Sequence, residues 1–196
     1  MAGLELICGP MFSGKSGLLV ARLADASAAG LRVLAVKPEI AVEPGWIASR
    51  AGPRWPAVSL AAASELADVV AGHDLVGIDE AHFFDDDLVE AVGHGATRFV
   101  VAGLDLDFRG EPFAPIARLV PRADRVTRLT ATCARCGAEA TRSQRLVAGR
   151  PADADSPQIV VARHLYEPRC TSCFEAAPSG AVRRVATRGG RRASRV

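Results

Sequence analysis

Gly9-Pro10-Met11-Phe12-Ser13-Gly14-Lys15-Ser16 satisfies G-x-x-x-x-G-K-[ST], the pattern of a phosphate-binding loop. Gly9 and Gly14 let the backbone turn where a side chain would block it. The turned backbone aims successive N–H groups at phosphate oxygens. A helix that starts there adds free N–H groups and a positive dipole end. Lys15 supplies a point charge for the β- and γ-phosphates of a nucleotide such as ATP, and the Ser16 hydroxyl supplies a ligand for Mg²⁺. The flanks fit this role. Leu4-Glu5-Leu6-Ile7-Cys8 reads as a strand leading in, and Gly17 to Leu23 begins a helix leading out, with Gly30 as its stop. The chain has 24 lysines and arginines, yet only Lys15 and Lys37 are lysines, so a lysine at the motif position carries weight.

Leu31 to Lys37 is apolar and β-branched and is ended by Pro38, which makes a second strand. Strand, loop, helix and strand of this length form a βαβ unit, with a parallel sheet and right-handed crossover. Residues 38–56 are rich in Pro, Gly and Ala and read as an irregular loop. Ser64 to Val70 reads as a short helix with Ser64 at its start. Asp74 to Glu80 is an apolar strand ending in two acids. Asp79 is placed to hold Mg²⁺, directly or through water. Glu80 is placed as the general base for an attacking hydroxyl.

Further on, Asp85 to Gly93 reads as a helix and Arg98 to Leu104 as a central strand. The strand leads into a loop with Phe108 and Phe113, which either enclose a base or are local core. Open α/β sheets bind ligands beyond the carboxyl ends of their strands, which is where this loop lies. A helix from Pro115 and a strand over Arg125–Leu129 complete the first part.

The chain has five cysteines. Cys133-x-x-Cys136 and Cys170-x-x-Cys173 are separated by 33 residues, and Cys8 stands alone. Two such pairs in a chain without a signal-peptide pattern read as metal ligands before disulfides, and two pairs argue against a redox role. Four thiolates can hold Zn²⁺ tetrahedrally with no open position, so its role is structural. Between the pairs, Gly149–Ser156 reads as a loop and Gln158–Ala162 as a strand.

With 196 residues, 49% hydrophobic and 23% charged, the chain fits one globular domain with a small appendage. No apolar run approaches a membrane span, and the expected setting is cytoplasmic. Net charge is +2, and the six arginines of Ala181–Val196 carry +6 of it, which leaves the remainder at −4. Nothing in the charge of this mildly acidic body suggests a nucleic-acid surface, so no specific nucleic-acid partner is expected, and the basic tail reads as a solvated terminus. The expected fold is α/β: a P-loop NTPase-like parallel sheet flanked by helices over 1–130. A zinc-ribbon-like lobe follows over 131–177 and a basic tail over 178–196.

Together these motifs resemble the thymidine kinases of the zinc-containing type. The matching residues are 9–16, Asp79-Glu80-Ala81-His82-Phe83-Phe84, Leu104-Asp105 through Phe108, and Pro112-Phe113. Leu129 through Cys136, and Tyr166 before Cys170-x-x-Cys173, complete the ordered set. The resemblance implies transfer of the ATP γ-phosphate to the 5′-hydroxyl of a pyrimidine deoxynucleoside. It implies Glu80 as proton acceptor, and residues 9–16 with Asp79, Glu80, Ala81 and His82 on the nucleotide side. Ser16 and Asp79 form the magnesium site. Phe83, Phe108, Phe113 and Tyr166 surround the nucleoside, under a lasso that precedes the second cysteine pair. It also implies a homotetramer. The chain departs from the family pattern on the acceptor side. His82 replaces a Gln, which would make a contact pH-sensitive. Ala41 to Pro44 and Ser49 to Gly52 differ from the family's loop, and Val161-Ala162 replaces the lasso's glycine pair. The open alternatives are another or modified pyrimidine nucleoside, or a nucleotide-binding protein without kinase activity.

Overall fold

A computed structural model describes residues 3–176 except 42, 49–51, 53, 93 and 94. The Arg-rich tail, and part of the 38–52 segment, therefore lie outside the described residues. The first elements are β1 (Gly3–Cys8), α1 (Lys15–Ala28), β2 (Val33–Pro38), β3 (Trp46–Ala48), β4 (Arg54–Pro56) and β5 (Val58–Leu60). Then come α2 (Leu66–Val70), β6 (Leu75–Ile78), α3 (Asp87–Ala91), β7 (Arg98–Gly103), α4 (Ala114–Leu119) and β8 (Arg125–Arg128). The C-terminal part adds β9 (Ala131–Thr132), β10 (Glu139–Ala140), β11 (Arg142–Val147), β12 (Arg150–Pro151) and β13 (Tyr166–Arg169).

Six strands form one parallel sheet in the order β5-β2-β6-β7-β1-β8, so β7 is central as its apolar run predicts. Period-two alternation divides the core between the two faces. Leu4, Leu6, Cys8, Phe99 and Val101 pack toward α2, α3 and α4. Ile7, Val100 and Ala102 pack toward α1 through Leu19, Val20 and Leu23. At Gly77 a Cβ would sit 2.6 Å from a terminal methyl of Leu23, so the glycine lets α1 pack close without displacing that side chain. α1 ends where Gly30 and Leu31 N–H groups bond the Ser27 and Ala26 carbonyls. Among the described residues no helix is long and apolar enough to cross a membrane.

The small C-terminal lobe is antiparallel. β11 pairs with β12 and β13, β9 pairs with β10, and the lobe has its own core around Cys133, Ala140 and Cys170.

Three local readings are corrected. Residues 38–56 are not simply irregular, because β3 and β4 form a hairpin. The buried Lys37 ammonium anchors it by donating to the carbonyls of Glu43 (2.9 Å) and Trp46 (3.1 Å), and Ile47 packs into the core. Ser64 does not cap a helix. It lies inside a 3-10 turn, Ala63–Glu65, that precedes α2 and has no side-chain cap. Gln158–Ala162 is not a strand. Its Val160 carbonyl accepts from the Tyr166 hydroxyl and the Ala162 N–H instead of from a neighbouring strand. The lobe's longer strands are β11 and β13, and β12 lies within the expected 149–156 loop.

Candidate active site

Residues 9–16 follow the carboxyl end of β1 and open α1. Gly9 has φ +142°, and a Cβ there would collide with the Leu129 carbonyl oxygen; Gly14 has φ +89°. Both positions are closed to most side chains, as the motif requires. Lys15 is buried, and its Nζ donates to the Pro10 carbonyl at 2.7 Å, which keeps the loop curved. Burial lowers the Lys15 pKa, against the pull of Glu80, Asp79 and Asp105. The Ser13 hydroxyl is buried with no protein partner, a donor the loop does not itself use. That orphan, the turned glycines and Lys15 suit a polyphosphate.

The Ser16 hydroxyl donates to Asp79 Oδ1 at 3.2 Å, so the magnesium pair expected from sequence is in contact. Asp79 is pushed up to about 7, first by burial and then by the Glu80 charge, against the Ser16 hydrogen bond. A hydroxyl beside a buried carboxylate is a donor set that suits a hard divalent cation. Glu80 follows at φ +50°, a left-handed backbone that few non-glycine residues adopt. The turn directs Glu80 to the wall of a cavity of about 330 Å³.

This cavity lies between the sheet's carboxyl end and the lobe. Gly14, Lys15 and Ser16 form one side, and Glu80, His82, Phe83, Phe108, Phe113 and Tyr166 line the rest. Gln158 to Ala162, a strap, closes over it. Phe108 and Phe113 are buried, so they are core and cavity wall at once.

The sequence model of the family described as "Thymidine kinase" matches residues 2–174. The chain belongs to the thymidine kinase family. It is 40% identical over 183 residues to a thymidine kinase of Chloroflexus aurantiacus strain J-10-fl, covering 89% of this chain and 95% of that one. It is 42% identical over 175 residues to a thymidine kinase of Mycoplasmoides gallisepticum, covering 85% of this chain and 78% of that one.

In this family member His82 is buried with its ring against Phe83 (4.2 Å between centroids) and Phe113 (4.8 Å). Its Nδ1 accepts the Leu104 N–H at 3.2 Å, which assigns the proton to Nε2. Burial, followed by the Lys15 charge, holds its pKa well below the usual value. His82 is thus neutral near pH 7, packed on Phe83 and Phe113 while also lining the cavity. Ala81 lies in the core and does not line the cavity.

The cysteine pairs form a separate cluster away from the cavity lining. Sγ atoms of Cys133, Cys136, Cys170 and Cys173 all lie within 4.8 Å of one another, with Cys136 and Cys170 at 3.6 Å. Tetrahedral Zn–S bonds of about 2.3 Å put sulfurs about 3.8 Å apart, so the cluster fits zinc.

Sequence reasoning missed three residues of this site, Asp107, Ser143 and Arg145. Asp107 is buried and accepts from the Arg109 and Glu111 N–H groups at 2.8 and 3.0 Å, which shapes the loop after β7. Its Oδ2 accepts Arg109 Nε and Gln158 Nε2, and Arg109 also reaches the Ala154 carbonyl. Ser143 and Arg145 are buried in β11. The available signal was the Ser143-Gln144-Arg145 run, three polar residues in succession inside a strand.

Proposed function

We propose that the chain transfers the γ-phosphate of ATP to the 5′-hydroxyl of thymidine, giving thymidine monophosphate. One observation carries this reading. A single cavity has Lys15 and Ser16 on one side and Glu80 with four aromatic side chains on the other. The relatives named thymidine kinase support the choice of acceptor.

Phosphoryl transfer asks a protein for alignment and charge neutralisation more than for covalent chemistry. The N–H groups of residues 9–16 and Lys15 stabilise charge on the phosphate oxygens. Ser16 and Asp79 would hold Mg²⁺, which when bound supplies positive charge beside those oxygens. Glu80 takes the proton of the attacking 5′-hydroxyl as its oxygen bonds to the γ-phosphorus and the bond to ADP breaks. Phe83, Phe108, Phe113 and Tyr166 enclose the base, and the strap limits transfer to water. The four cysteines would hold Zn²⁺ as a structural ion, because four thiolates leave no position open for substrate.

A nucleotide-binding unit over 1–130, a zinc lobe over 131–177, a homotetramer and a cytoplasmic setting belong to the same reading. An all-thiol ligand set suits a reducing compartment. A second acceptor, another or modified pyrimidine nucleoside, is favoured by the strap. Neither Val161 nor Ala162 has a positive φ, so its backbone follows a path that needs no glycine.

Incubation with Mg-ATP and a panel of nucleosides, with products weighed by mass spectrometry, tests the reading. Thymidine monophosphate is the expected product. A monophosphate only from another nucleoside selects the second acceptor, and ATP binding without any nucleotide product sinks both.

A further inference from the structure

Arg145 is 1% exposed. Its guanidinium carbon lies 3.5 Å from the centroid of the Phe108 ring, close stacking on the face of a cavity wall. Its Nη1 donates to the Pro157 carbonyl at 2.7 Å, at the root of the strap. The Tyr166 hydroxyl is 3.5 Å from the same nitrogen and itself donates to the Val160 carbonyl at 3.2 Å. Arg145 Nη2 is buried with no protein partner, and among the described residues no carboxylate pairs with this cation. Burying a permanent charge without a counter-charge is costly, so packing alone does not account for it.

The strand that carries Arg145 is pinned on both sides. Ser143 Oγ accepts the Met11 N–H of the phosphate loop at 2.9 Å. Gln144 exchanges two hydrogen bonds with the Glu175 main chain, at 3.0 and 2.8 Å. β11 and β13 set Arg145 opposite Tyr166. The guanidinium is therefore delivered to one place, with its flat face on Phe108 and its edge on the strap.

We propose that Arg145 is a positioning residue for the acceptor nucleoside. It joins the Phe108 wall to the strap and so fixes the gap into which a planar base slides. The proposal rests on the reading of this cavity as the nucleoside site. Arginine is required because one plane must stack and donate together; a lysine retains the charge but neither the plane nor the fork.

Arg145→Lys and Arg145→Met are compared with the full-length wild type in steady-state kinetics, with zinc content and thermal midpoint as checks of folding. The expected result for both variants is a nucleoside KM raised roughly tenfold to a hundredfold, with the ATP KM within about twofold of wild type. A purely structural or charge-balancing role predicts that the lysine variant behaves as wild type, or that both KM values move together. Either outcome overturns the proposal, as does failure of both variants to fold. If wild type phosphorylates no nucleoside, the functional reading falls as well. If wild type is active and both variants match it, only the role of Arg145 falls.

Discussion

The two sides of the cavity are built by different means. The phosphate side comes from eight consecutive residues and a strand end, and its contacts are made by backbone geometry: Gly9 and Gly14 at positive φ and Lys15 folded back on Pro10. The acceptor side comes from four separated segments. It is tied by Gln158 to Asp107, Arg109 to Ala154, Arg145 to Pro157 and Tyr166 to Val160. The first rests on the sheet core. The second rests on a lobe whose own core, among the described residues, is Cys133, Ala140 and Cys170, with Ala131 and Cys173 against it. A site of this kind has one rigid half and one half whose geometry depends on a few long-range ties.

Changes on either side should therefore break different steps. Glu80→Gln faces both halves and has the largest expected effect. Turnover falls by about 10²–10⁴, as for loss of a general base, while ATP binding measured by calorimetry persists. Unchanged turnover would remove Glu80 from the proton path.

Cys170→Ser separates the halves. Freshly purified wild type should contain about one zinc per chain, and the variant should lose it. Structural zinc contributes roughly 10–16 kcal/mol of apparent binding energy to small domains, so the lobe has little to replace it. Nucleoside phosphorylation should fall roughly a hundredfold or more, while ATP affinity falls less, because the phosphate loop stands on the sheet core and meets the lobe through the Ser143–Met11 hydrogen bond. Equal loss of ATP binding would show that the two halves fold as one.

The smallest effect lies at the seam, in His82. Its folded pKa is depressed, whereas in the unfolded chain it titrates near 6.5. Below that pH the unfolded state binds the extra proton, so stability falls as pH falls, by at most about 1.4 kcal/mol per pH unit for one proton. His82→Gln lacks this increment. Urea unfolding at pH 5 and 7.5 should show a smaller acid loss in the variant than in wild type. An identical pH dependence would mean that His82 is protonated in the fold.

The same contrast explains what could be read from the sequence. Residues 9–16, Asp79 and Glu80 were legible because adjacent residues do adjacent jobs, and the sheet because fully buried parallel strands read as apolar runs. Arg145, Asp107 and Ser143 were not, since their meaning lies in partners such as Met11, 132 positions from Ser143. The strap misled for a related reason. Ile159-Val160-Val161 has strand composition, but a strand needs an edge to pair with, and here Tyr166 takes the Val160 carbonyl while Arg145 holds the Pro157 carbonyl just before it. The hairpin at 46–56 was hidden because strands of three residues show no period.

Three of the four ties on the strap and the segment leading into it end on main-chain carbonyls, those of Ala154, Pro157 and Val160. A carbonyl is the same whatever side chain stands beside it. The strap can therefore change its lining residues without slipping its moorings, which makes 159–162 a natural window for a randomised library: acceptor preference can drift there while the anchoring machinery stays untouched.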